Sequence, residues 1–182
     1  MDKAHLDPIA PLLLAAHADR HAYQRRFMDD HGMPPTSIAG WQHFRAVVQA
    51  QVLGADGLEL DPGYLEMGRV AFVDRKTKDS FLLRSAPALA IELGQHQEQH
   101  LFEVDESDVR LLVFRFDTTG LNLSVADTWR KLGGKHLFAT GPAVLVGTWP
   151  YSSGDPEPFN QGDNDGFEGI GDTGEEEGDQ SA

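Results

Sequence analysis

Three observations predict an α+β domain with an acidic appendage. Apolar residues recur at helical period as far as Leu53, and after Glu66 they switch to short alternating or continuous runs. The negative charge collects beyond Tyr151. The expected body, residues 1–151, is two N-terminal helices packed on a mostly antiparallel sheet, with one later short helix. Residues 152–182 are expected to form a disordered, Gly-rich acidic tail.

The first helix is marked at both ends. Asp7 can cap it, Pro8 suits its first turn, and Gly32 followed by Met33-Pro34-Pro35 stops it. Ile9, Leu12, Leu13, Ala16, Tyr23 and Phe27 share one face at about 100° per residue. Arg20 falls within that face. Either its stem packs at the rim with the guanidinium in water, or it is buried against a carboxylate. A second helix starts at Ser37, its cap, and runs to Leu53 before Gly54, with Trp41, Phe44, Val48 and Val52 as its stripe. The two helices would form a hairpin or clasp over a sheet.

The strands come next. Arg69 to Asp74 and Ser80 to Arg84 flank the polar turn Arg75-Lys76-Thr77-Lys78-Asp79, which predicts a β-hairpin. Ala88 to Leu93 suits a strand or a short helix equally. Leu101 to Val104 and Val109 to Phe116 read as two strands joined by the acidic turn Asp105-Glu106-Ser107-Asp108. The second of them is apolar on both faces and should be central. Ser124 with Asp127 resembles a capping box. With Val125, Trp129 and Leu132 it predicts the later short helix, ended by Gly133-Gly134. His136 to Thr140 and Ala143 to Trp149 predict a closing hairpin around Gly141-Pro142.

Composition narrows the function classes. The body has the size of one ordinary domain with its own core. With no cysteine, disulfides and thiolate metal sites are excluded. The apolar run Ile9 to Ala16 is too short to span a bilayer and no basic region precedes it, so the chain reads as cytoplasmic and not membrane-bound. Ten of the acids lie after Tyr151, where there is no Lys, Arg or His; removing those ten charges from the total of −14 leaves −4 on the body. That balance disfavours direct nucleic-acid binding, because phosphate contacts need Lys and Arg.

Few constellations point to chemistry. His17 and His21 are four apart within the first predicted helix, on the flank or outside of its stripe. His96 and His100 repeat the spacing between expected strands. A helix puts such a pair on one face, as metal ligation requires, while the plain reading is solvated surface histidines. No phosphate-binding loop, dinucleotide fingerprint or nucleophile elbow occurs, and no cofactor is expected. Asp163-Asn164-Asp165-Gly166 is out of register for a calcium loop.

Val70-Ala-Phe-Val-Asp74-Arg-Lys76, with Asp61 or Glu59 upstream, resembles the metal-binding half of PD-(D/E)xK nucleases. The resemblance implies a divalent cation held by Asp61 and Asp74, with Lys76 positioning the attacking water. It departs from that family in that Asp61 precedes a proline instead of following one. Phe114-Arg-Phe-Asp117-Thr-Thr-Gly-Leu121 is similar to the nucleophile loop of haloacid-dehalogenase-type phosphotransferases. Too little chain follows it for the parallel sheet those enzymes need, and an Asp-Thr-Thr-Gly turn explains the same residues.

In the tail, acids are interleaved with Phe159, Phe167 and Ile170, which suits a docking motif, a solubilising or autoinhibitory tail, or a segment that imitates phosphate charge on a partner or on its own body. The apolar groups would enter pockets while Asp163, Asp165 and Glu168 face a basic rim. The sequence thus reads as a non-enzymatic cytosolic interaction or regulatory protein whose acidic tail docks a basic protein surface. A metal-dependent nuclease or phosphodiesterase using Asp61, Asp74 and Lys76 is the alternative. The sequence carries no signal for oligomeric state.

Overall fold

Two N-terminal helices account for most of the helical residues in the computed structural model, which describes residues 3–66, 69–86, 104–131 and 137–152. A short α1 (Lys3–Leu6) leads through a turn into α2 (Ala10–His31). Pro11, and not Pro8, sits in the first turn of α2, and Ile9 precedes it without a side-chain cap. Asp7 is drawn elsewhere: its carboxylate accepts the indole N–H of Trp149 at 2.9 Å. The far end is as expected, with Gly32 in the left-handed region donating its N–H to the Met28 carbonyl. In α3 (Ser37–Gly54) the cap is Thr36, one residue earlier than expected, its hydroxyl accepting the Ala39 N–H at 3.2 Å. The stripe is correct: Phe44, Val48 and Val52 are buried and Trp41 is half-buried.

Among the described residues the sheet has seven strands: β1 (Leu58–Leu60), β2 (Ala71–Asp74), β3 (Ser80–Ser85), β4 (Val104–Asp117), β5 (Gly120–Lys131), β6 (Phe138–Ala139) and β7 (Val144–Pro150). They run in the order β1-β2-β3-β4-β5, with β6 and β7 both on the far side of β5. All pairs are antiparallel except β3 with β4. The fold class is therefore the expected one, helices with a mostly antiparallel sheet. The hairpin β2–β3 and the central position of β4 are also as read.

Three local expectations fail. The acidic stretch Asp105 to Asp108 is not a turn: β4 runs through it, with Asp105 opposite Arg130 and Ser107 opposite Thr128. The turn-forming residues are taken up by a register shift between Ser107 and Leu111, where the Ser107 hydroxyl accepts the Val109 N–H. The short helix from Ser124 is instead the second half of β5. Leu121 and Leu123 face the helices while Ala126 and Thr128 face away, a period of two that the edge of β4 completes. Leu132, Gly133 and Gly134 lie outside the described residues. Among the described residues the short helix later than α3 is α4 (Pro62–Glu66). Finally, β6 and β7 do not pair with each other; both lie against β5 as two pieces of one interrupted partner strand. Ala88 to Leu93 also lies outside the described residues.

Helices and sheet share one large core. Leu6, Leu13 and Ala16 with Phe44, Val48 and Val52 meet Phe72, Phe81, Leu112, Phe114, Leu121 and Leu123 from the strands. Phe44 and Phe114 stack at 5.3 Å, with Trp41 against both. A smaller cluster on the other sheet face holds Ala71, Leu82, Leu111, Val113, Ala126 and Leu137. The N-terminal segment is joined to β7: the Lys3 ammonium donates to the Thr148 carbonyl and sits 4.8 Å over the Trp149 ring. At the β4–β5 turn Gly120 has φ +147°, and a Cβ there would run into the Trp149 carbonyl, so only glycine fits.

Candidate functional site

Two places on the body gather polar chemistry: the histidine pair of α2 and a cavity on the second sheet face. His17 and His21 are one turn apart, and their Nε2 atoms stand 3.2 Å from each other. One of them must donate and the other accept. Contrary to the plain surface reading, His17 is only 5% exposed. Its ring stacks on Phe116 of β4 with centroids 3.8 Å apart, meets His21 edge-on at 4.5 Å, and lies 6.1 Å from Tyr151. Burial first, then the charges of His21 and Arg20, push its pKa down to about 3, so the ring is neutral at ordinary pH. Arg20 lies between the helices, its Nε shut off from water and 3.4 Å from where a Gly40 Cβ would stand. Two imidazoles at this spacing could share a tetrahedral zinc, whose ligands at about 2.0–2.1 Å stand roughly 3.3 Å apart. Further donors are missing: among the described residues no group of three or more His, Cys, Asp or Glu side chains converges. His96 and His100 lie outside the described residues.

Asp61, Asp74 and Lys76 are not brought together. Asp61 follows β1 and is alongside Ala71, to whose carbonyl it donates its N–H. Asp74 is three residues further along β2, roughly 10 Å away and on the opposite face. Each carboxylate serves its own turn. Asp61 accepts the Gly63 and Tyr64 N–H groups at 2.9 and 3.4 Å, and Asp74 accepts those of Lys76 and Thr77 at 2.7 and 3.2 Å. Glu59 pairs with Arg75 at 3.2 Å. Asp117 is likewise a turn residue. One oxygen accepts the Thr119 N–H and hydroxyl and the Gly120 N–H, and the other accepts the Asn122 amide. The Thr119 hydroxyl leads in holding this carboxyl below its ordinary range, with burial opposing. An antiparallel strand follows it, so the similarity to a phosphotransferase loop ends at the letters.

The second sheet face carries what the sequence did not single out. A cavity of about 350 Å³ opens there, with Val113, Ala143 and Leu145 as apolar wall and Arg115, Asn122 and Ser124 as polar wall. These residues meet because β4, β5 and β7 are in register: Val113 faces Ser124, Arg115 faces Asn122, and Ser124 faces Leu145. Asn122 is fixed at both ends, donating to Asp117 at 2.5 Å and accepting the Thr148 hydroxyl at 2.6 Å. Arg115 is exposed. The face is basic beyond it. Burial, then Asp61, raises the pKa of Tyr64 on α4, while the nearby Arg130, Arg69 and Arg84 pull it back. Beside the cavity, edge strand β7 exposes Val144 (69%) and Leu145 (59%).

Alternation of Arg115 with Phe114 and Phe116, and the strand expected at Ala143 to Trp149, were readable; β5, which joins them, was hidden by the helix expected at Ser124. The tail residues Phe159, Asp163, Asp165, Phe167, Glu168 and Ile170 lie outside the described residues. No protein-family model, curated protein or solved structure matches the chain.

Proposed function

We propose that this is a non-enzymatic, cytoplasmic protein-interaction or regulatory protein, in which a self-sufficient α+β body carries the acidic segment 152–182 to a basic surface on a partner protein. Phe159, Phe167 and Ile170 enter pockets on that surface, and Asp163, Asp165 and Glu168 face its basic rim. What supports the reading is a division of labour along the chain. The described core clusters draw on nothing later than Trp149, while ten acids follow Tyr151 with no base among them. No helix among the described residues is long and apolar enough to cross a membrane.

The test removes residues 153–182 and, separately, replaces Phe159, Phe167 and Ile170 by Ser. Melting of the truncated protein should stay within about 2 °C of the full chain, since no described core contact is lost. Capture of a basic partner should disappear in both variants. Capture that survives truncation refutes the reading; capture that survives only the Ser substitutions reduces it to unspecific charge attraction.

A further inference from the structure

We propose that the cavity on the second sheet face is the resting seat of the chain's own acidic segment, with Phe159 in the cavity and Asp155 and Glu157 against Arg115. The cavity supplies both halves of the recognition. Val113, Ala143 and Leu145 form an apolar wall that suits one aromatic ring, and Arg115 is a cation at the mouth that no carboxylate of the described residues engages. Arg84 stands opposite Val113 in register on the same face.

Chain length and exit point select the occupant. Arg115, Asn122 and Thr148 share one row across β4, β5 and β7, so Arg115 lies two strand spacings from β7, about 10 Å. Ser152 is four residues past Thr148, roughly 13 Å further along. The straight path back from Ser152 is then roughly 16 Å. The seven residues from there to Phe159 can span up to about 24 Å. Pro156 and Pro158 restrict this stretch and lower the entropy lost on seating it, unlike the Gly-rich remainder. Tethering gives the segment an effective concentration in the millimolar range, which makes a weak site sufficient. A second copy is disfavoured as occupant, because each molecule is −14 overall and its ten terminal acids leave from the same edge strand.

The consequence for regulation rests on the docking reading above. A seated Phe159 is withheld from any partner, so a basic partner must compete with Arg115 before it can engage the segment.

The experiment uses the full chain. Heteronuclear NOEs of the backbone amides are measured in wild type and in Arg115→Glu, and Leu145 methyl shifts in Phe159→Ala and Phe167→Ala. In wild type the Phe159 amide should have a clearly higher NOE than Gly174 to Gly178; in Arg115→Glu, or in 0.5 M salt (a Debye length of about 4 Å), the difference should vanish. Phe159→Ala should move the Leu145 methyls, and Phe167→Ala should not. A Phe159 amide as mobile as Gly174 to Gly178, or one indifferent to Arg115→Glu, overturns the proposal. So does movement of Leu145 by Phe167→Ala alone, or a concentration-dependent NOE that betrays a second copy. Capture by an immobilised oligo-arginine peptide reads the other half, and Arg115→Glu should strengthen it about threefold to tenfold by freeing the segment. The NOE pattern without any capture keeps the seat and sinks the docking reading; capture without the NOE pattern does the reverse.

Discussion

Acidification should destabilise the protein through His17 before it touches the carboxylates. The folded-state pKa of this imidazole is depressed from 6.5 to about 3, so between those values the unfolded chain binds a proton that the folded protein refuses. Stability is therefore fully present above the unfolded value and declines as pH falls below it. At pH 5 the folded ring is still neutral, and the gap is set by the unfolded group alone. One and a half units below 6.5, at about 1.4 kcal/mol per unit, corresponds to about 2 kcal/mol lost between pH 7 and pH 5. For a body of this size that lowers the melting temperature by roughly 4–8 °C. The assay is urea unfolding at pH 7, 6 and 5 for wild type and for His17→Phe, whose ring can keep the stack on Phe116. The wild type should lose about 2 kcal/mol more than the variant over that range. Stopping at pH 5 keeps carboxylates such as Asp117, whose pKa lies below its ordinary value, out of the comparison. Parallel curves for the two proteins would refute a neutral, buried His17.

Other perturbations follow from packing and turns. Phe44→Ala opens a cavity between Trp41, Phe114 and Phe116 and should cost about 3–5 kcal/mol by chemical denaturation. Gly120→Ala drives a Cβ into the Trp149 carbonyl, so unfolding should come at clearly lower denaturant, with unchanged stability as the refuting result. Asp117→Ala leaves the Thr119, Gly120 and Asn122 donors to water and should lower stability by about 1–3 kcal/mol. Asp74→Ala should likewise act on stability alone, through the lost Lys76 and Thr77 hydrogen bonds; magnesium-dependent nucleic-acid cleavage that this substitution abolishes would revive the nuclease alternative.

Where local chemistry decides the structure, the sequence was readable. The Gly32 stop, the α3 stripe, the β2–β3 hairpin and the doubly covered Val109 to Phe116 run all follow from periodicity and turn residues close in the chain. Misreadings arise where a distant partner overrides a local signal. Ser124 and Asp127 look like a helix start, yet β4 offers Leu123 and Val125 a ladder, and sheet pairing wins over capping. Asp7 suits a helix cap until Trp149, far along the chain, claims its carboxylate. The same holds for the candidate sites. The spacing of His17 and His21 is visible, but the burial that lowers the His17 pKa depends on Phe116 and Tyr151 from other elements. No spacing within the sequence could assemble Arg115 with Ser124 and Leu145, which meet only through register.

The link from Lys3 and Asp7 to Thr148 and Trp149 bears on how the molecule is made. The partners are 142 to 145 residues apart in the chain, so translation delivers the second set long after the first and the seam between them closes late. A ribosome-bound chain halted before Trp149 should hold its helices without that clasp and remain open to proteases near the N-terminus. Once the clasp shuts, α1 and β7 are tied to each other, and neither can fray alone.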